Sequence, residues 1–185
     1  MIGFDMAHVI ERAPGGRAKC RGCEGKIAAG DLRFGERLPN PFADGENVEM
    51  THWFHLTCAA FRRPEAFLEG LAATSETIDN RAELEREAQL GVAHRRLPRV
   101  STAERAPTGR ATCRACKTLI DKGAWRIALV FYEEGRFMPS GFMHAKCVAT
   151  YLETTAVLPR VARFSPNLGN AELDEIQQDI DHPGT

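Results

Sequence analysis

The sequence predicts a small α+β protein made of two tandem modules, and three observations predict it. A four-residue Cys/His pattern occurs twice, as Cys20-x-x-Cys23 with His55-x-x-Cys58 and as Cys113-x-x-Cys116 with His144-x-x-Cys147. The stretch leading into the pattern is also repeated. Glu11-Arg-Ala-Pro-Gly-Gly-Arg-Ala-Lys-Cys20 and Glu104-Arg-Ala-Pro-Thr-Gly-Arg-Ala-Thr-Cys113 agree at eight of ten positions without a gap. In each copy a β-forming run follows the cysteine pair and a helix-forming run follows the His-x-x-Cys pair. An internal repeat of this kind fixes the organisation before any fold is considered.

The spacing of each pattern is that of a four-coordinate zinc site, three thiolates and one imidazole in a tetrahedron. All six cysteines are used, three per copy. A closed ligand set leaves no position for water or substrate, so both Zn2+ ions are read as structural. Their binding free energy, on the order of 10 kcal/mol, is then largely folding free energy. A module of about 60 residues buries too little apolar surface to be stable without such a staple. A disulfide framework would need an oxidising compartment. Residues 1–14 do not carry a basic start followed by a long apolar run, and no stretch approaches membrane-spanning length. The expectation is a reducing interior and no membrane: cytoplasmic and nucleoid-associated in a bacterium, nuclear in a eukaryote. A redox thiol pair or a catalytic zinc is the competing chemistry, but no spare Glu stands in a hydrolase motif. His52 competes with His55 as a ligand. The repeat decides for His55, which alone matches His144, and His52 is expected on the surface or in a loop.

Each element follows from local pattern. Residues 1–10 are short and apolar and suit a strand or turn laid on the first module. Leu32–Arg37 and Trp125–Tyr132 read as strands, the second richer in β-branched and aromatic residues. Leu38–Met50 and Glu133–Ser140 carry Pro, Gly, Asp and Asn and are expected as loops. The first loop is longer, so 31 residues separate Cys23 from His55 and 27 separate Cys116 from His144. A His and a Cys three apart share one side of a helical turn, so both reach one ion. Helices are expected over 58–71, interrupted or restarted at Pro64, and over 147–155. Asp79–Leu90 is a good helix former with a cap at its start, and Gly169–Ile180 is a short acidic helix. The resulting boundaries are a first module over 1–76, a helical linker over 77–100, a second module over 101–165 and an acidic helix over 166–185.

A net charge of −1 and a pI of about 6.6 do not mark a nucleic-acid binder. The distribution says more. Residues 101–152 hold eight Lys/Arg against four Asp/Glu, residues 11–62 hold eight against seven, and residues 153–185 hold two against six. The second module is basic and the tail acidic.

Together these residues resemble the zinc fingers of poly(ADP-ribose) polymerases and of one class of DNA ligase. The resemblance is carried by Gly16-Arg17-Ala-Lys-Cys20-x-x-Cys23, Ile27, Gly30, Leu32-Arg33 and Trp53-Phe54-His55-x-x-Cys58. The second copy carries it in Gly109-Arg110-Ala-Thr-Cys113-x-x-Cys116, Ile120, Gly123, Trp125-Arg126 and Phe142-Met143-His144-x-x-Cys147. It covers about 50 residues per copy. It implies sequence-independent binding of double-stranded DNA at breaks or nicks, without catalysis, with a repair protein as a further partner. Arg17 and Arg110 would contact the DNA backbone and Arg33 and Arg126 would reach phosphate or the minor groove near the break, with Arg12, Arg105, Lys19, Arg114 and Lys146 adding weaker phosphate contacts. For each arginine the alternative is a surface salt bridge or a solvated strand face. A break exposes a base face that an apolar side chain can cover, worth roughly 1–3 kcal/mol per base. The candidates are Phe42, Val48 and Met50 in the first loop, and Phe137, Met138 and Pro139 in the second. Val48 suits packing on its own module equally well. The alternative function is a protein-interaction adaptor that uses zinc-stapled scaffolds.

Overall fold

The structure, a computed structural model, describes residues 7–40 and 48–182. The chain divides into two compact units, residues 1–93 and 94–185. Each is a three-stranded antiparallel meander followed by helices, the small zinc-stapled α+β fold expected from the repeat.

In the first unit β1 (Val9–Arg12) pairs with β2 (Leu32–Pro39), and β2 pairs with β3 (Glu49–His55). Alternation along β2 sends Phe34 and Glu36 to the helix side and Arg33, Gly35 and Arg37 to the other. Phe34 and Phe54 are fully buried, and Phe67 meets Phe34 edge-on with ring centroids 5.6 Å apart. These rings tie the sheet to α1 (Leu56–Arg62) and α2 (Pro64–Ala73). Pro64 restarts the helix at its first turn, where a missing N–H costs nothing. The helix expected in the linker runs Arg81–Ala93 as α3 and packs on α1 and α2, burying Leu84 and Ala88. It belongs to the compact unit because its apolar stripe needs a partner surface.

The second unit repeats the plan with β4 (Val100–Arg105), β5 (Trp125–Glu133) and β6 (Arg136–His144). Helices α4 (Val148–Leu152), α5 (Leu158–Phe164) and α6 (Asn170–Asp181) follow. Ile127, Leu129, Met143, Val161, Ile176 and Ile180 form its core. The loop expected over Glu133–Ser140 is a hairpin instead. Glu134 and Gly135 both have positive φ, 48° and 77°, the geometry of a tight two-residue turn between paired Glu133 and Arg136. The apolar run Phe137-Met138 continues the ladder. Likewise Leu38-Pro39 and Glu49-Met50 extend β2 and β3, and Asn40 N–H bonds the Val48 carbonyl at 2.8 Å. Only residues 41–47 of that expected loop fall outside the described residues.

Candidate metal centres and basic face

Each metal cluster is built from the same three pieces. A knuckle presents the first two cysteines: the Cys20 N–H bonds Gly25 O at 2.8 Å, and the Cys113 N–H bonds Thr118 O at 2.8 Å. The chain turns there through left-handed residues, Glu24 (φ 59°) and Lys117 (φ 65°). The end of the third strand supplies the histidine. The next turn, the start of α1 or the 3-10 turn Ala145–Cys147, supplies the last cysteine. The His55 N–H points at the Cys20 sulfur at 3.3 Å, and the His144 N–H at the Cys113 sulfur at 3.4 Å. Cys23 Sγ lies 3.4 Å from His55 Nδ1, and Cys116 Sγ lies 3.4 Å from His144 Nδ1. In both clusters the four ligand atoms lie within 4.8 Å of one another. A zinc–sulfur bond near 2.3 Å in a tetrahedron sets sulfurs about 3.8 Å apart, so these donors fit zinc in number, type and spacing. His55 Nε2 faces the Lys26 carbonyl at 3.2 Å, which directs its Nε2–H outward and leaves Nδ1 for the metal.

The thiols are tuned by one another. Hydrogen bonding from Cys58 draws Cys23 down to about 4 and Cys20 to about 6, against the opposing effect of burial. Cys116 falls to about 6 through the Thr118 hydroxyl and backbone. Cys147 is pushed up to about 12, by burial and then by the charge of Cys113. Cys20, Cys23 and Cys116 are thus drawn towards the thiolate that a metal needs, while Cys147 is held back by burial and then by repulsion, which a divalent cation relieves by displacing the proton.

The arginines divide into two classes. Arg17 and Arg110, three residues before the first ligand, are exposed in both modules, as are Lys19 and Lys146. No ion pair among the described residues engages them. Arg33 and Arg126 are only 8% and 7% exposed. Arg33 Nη2 meets Glu11 Oε1 at 2.5 Å and Arg126 Nη2 meets Glu104 Oε1 at 2.5 Å. Their guanidinium carbons lie 3.5 Å from the ring centre of Trp53 and 3.7 Å from that of Phe142. The same pair and the same cation–π stack occur in both copies. Arg12 and Arg105 donate to the Gly30 and Gly123 carbonyls at 3.1 and 3.0 Å, and Arg105 also pairs with Glu175. Arg114 bonds Ser140 O through Nε at 2.7 Å. His52 is buried at the sheet–helix junction opposite Glu36, not on the surface, because strand alternation turns it inward. Burial, then the nearby Arg21 charge, lowers its pKa.

Of the apolar candidates, Phe42 lies outside the described residues. Val48 is 41% exposed and Met50 is half-buried. Met138 is 43% exposed, Pro139 is exposed, and Phe137 stacks on Tyr132 with centroids 4.8 Å apart. Phe131, cross-strand partner of Met138, is 37% exposed and makes an apolar pair with it at the hairpin. Sequence reading passed over Phe131 because it sat inside a predicted strand. Its signal was an apolar residue continuing a strand towards a Glu-Gly turn.

Residues 11–95 match the family described as the poly(ADP-ribose) polymerase and DNA-ligase Zn-finger region. The chain is similar to poly [ADP-ribose] polymerase 1 of Gallus gallus, 28% identical over 173 residues, which is 84% of this chain and 17% of that protein. It is similar to poly [ADP-ribose] polymerase of Sarcophaga peregrina, 28% identical over 167 residues, 79% of this chain and 16% of that one. A shorter match, 38% identical over 53 residues, joins it to poly [ADP-ribose] polymerase 1 of Caenorhabditis elegans, covering 29% of this chain and 5% of the relative. The chain thus spans about one sixth of the first two relatives' length. Residues 11–95 thus match the poly(ADP-ribose) polymerase and DNA-ligase Zn-finger region, and the second module repeats the sheet, ligand set and arginine stack of the matched one.

Proposed function

We propose that the two fingers bind double-stranded DNA at strand breaks, nicks or ends, without regard to sequence, and that this region acts by binding rather than by catalysis. The observation that carries the reading is the exposed arginine three residues before the first ligand of each module, Arg17 and Arg110, on backbone that the zinc knuckle holds rigid. A guanidinium on a held backbone suits phosphate better than one on a mobile loop, since less backbone freedom is lost on contact. Phosphate contacts supply affinity and carry no sequence information. The apolar pair Phe131 and Met138 supplies the preference for a break, because intact duplex offers no base face to cover. Arg33 and Arg126 add less, since a phosphate must compete with Glu11 and Glu104 for them. Two modules on one chain raise the joint affinity by effective concentration.

The test is a titration of nicked and intact duplexes of equal length at two salt concentrations. The zinc-loaded chain is expected to prefer the nicked duplex. Arg17→Ala and Arg110→Ala are each expected to weaken both duplexes about tenfold, the value of one charged hydrogen bond. Each should also flatten the salt slope by about 0.9. Equal affinity of the wild type for the two duplexes removes the break-binding reading. Pull-down of a partner that survives nuclease treatment, with no DNA affinity, replaces it with the adaptor reading.

A further inference from the structure

The hairpin of the second module is braced in a way the first module does not share. Along β5–β6 the register slips between Leu129 and Val130, leaving Ser140 as the extra residue of a bulge. A second slip, between Val100 and Ala103, lies alongside it in β4. Arg99, the residue before β4, donates from each of its three guanidinium nitrogens at this point. Nε donates to Val130 O at 3.3 Å, Nη1 to the Tyr151 hydroxyl at 3.3 Å and Nη2 to Ser140 Oγ at 3.0 Å. Ser140 is held from the other side by Arg114 Nε, which reaches its carbonyl at 2.7 Å from between the ligands Cys113 and Cys116. Arg114 lies where a side chain on Gly141 would stand, with Nε 2.8 Å from that position, and Gly141 has φ +101°. Beyond this brace the hairpin projects the exposed pair Phe131 and Met138. In the first module β2 and β3 pair without a slip from Arg33↔His55 to Pro39↔Glu49, and the repeat places Met6 where Arg99 stands.

We propose that Arg99 is a positioning residue for break recognition: it fixes the bulge at Ser140 and so sets the angle at which the hairpin presents Phe131 and Met138 to an exposed base. This rests on the proposed function. Arg99 does not touch DNA; its three nitrogens are already committed within the module. A bulge bends its strand and increases the local twist, so the state of the bulge controls where the hairpin tip points. Positional precision matters because stacking fades steeply with separation and tilt, whereas phosphate contacts elsewhere on the module do not depend on the hairpin.

The experiment compares wild type, Arg99→Ala and Arg99→Lys as full chains with zinc content and melting temperature checked. Affinities are read for nicked and intact duplexes, and amide hydrogen exchange is read across residues 130–140. Arg99→Ala is expected to cut the nicked-to-intact ratio roughly tenfold, the scale of one lost stack. Affinity for intact duplex should stay within about twofold, since no phosphate contact is removed. Exchange across the hairpin should rise. Arg99→Lys should behave like Arg99→Ala, because one ammonium cannot bridge three acceptors in a fork. A lysine variant that keeps the wild-type ratio makes charge the relevant property and overturns the proposal. A wild type that discriminates while Arg99→Ala discriminates equally overturns it alone and leaves the proposed function standing. A wild type that does not discriminate removes both. If Arg99→Ala melts below the assay temperature, Ser140→Ala, which removes the acceptor of Arg99 Nη2 and keeps the backbone carbonyl that Arg114 holds, carries the test: a fall in the ratio supports the proposal, and an unchanged ratio ends it.

Discussion

Glu36 and Arg63 in the first module form an ion pair beneath the sheet, Nε to Oε1 at 2.9 Å and Nη2 to Oε1 at 2.5 Å, with the glutamate side chain 1% exposed. The repeat puts Leu129 and Leu152 at the same two places in the second module, both buried. One fold therefore holds both solutions to the same space, charged and apolar. A buried pair gains Coulomb energy but must recover the cost of dehydrating two ions, so its apolar replacement is often neutral or better. Removing one partner is different, because it takes away the opposite charge that offsets the other's burial. Arg63→Leu is expected to destabilise the zinc-loaded chain by about 3 kcal/mol. Glu36→Leu with Arg63→Leu should recover most of that loss, and a double-mutant cycle in urea reads the difference. Additive losses in the cycle would show that the pair is not the unit. The residue scale was also where sequence reading was weakest. Glu36 falls in an expected strand, Arg63 in an expected helix and His52 just past an expected loop, and none of these patterns names a distant partner. Nothing local says that alternation from Phe54 turns His52 inward.

At the scale of elements, the seating of α2 on the sheet depends on a missing side chain. A Cβ on Gly70 would stand 2.8 Å from the Phe34 ring, which is fully buried against Phe54 and Phe67. The ring has nowhere to go, so Gly70→Ala forces the helix off the sheet despite alanine's better helix propensity. The expected cost is about 1–3 kcal/mol, the range for overpacking, read as a lower urea midpoint. A gain in stability would mean that propensity outweighs the close approach. Both central strands and the helices other than Leu158–Phe164 were legible in the sequence because their periodicity is local, whereas Leu158–Phe164 and the strand Val100–Arg105 were not. The third strand of each sheet was not. Arg136–His144 and Glu49–His55 owe their extended form to pairing with a strand already in place; Pro139 and Gly141 in the first, and the turn-rich stretch leading into the second, read as loop. The hairpin and its brace follow the same rule, for Arg99 acts on Ser140 forty-one residues away.

For the whole molecule the consequence is modular. Each ligand set lies within one compact unit, so the two metal sites should load and empty separately. Cys58→Ser is expected to leave one zinc per chain by metal analysis and to unfold the first module while the second keeps its protected amides. The first module loses a metal contribution on the order of 10 kcal/mol, more than a unit of this size has to spare. Stripping both ions with a chelator should unfold both units and abolish DNA binding. Full structure without metal would remove the staple from the account.

By itself the sequence determined the number of modules, the two groups of four residues that could each hold a zinc ion and the order of most elements. These depend on spacing along the chain, and a repeat reads the same spacing twice. The tertiary structure alone decided which arginines face outward and which are locked against Glu11 and Glu104, which loop residues form an exposed apolar pair, and what braces the hairpin. Those properties depend on partners distant in sequence, and only the packed sheet brings such partners within hydrogen-bonding reach.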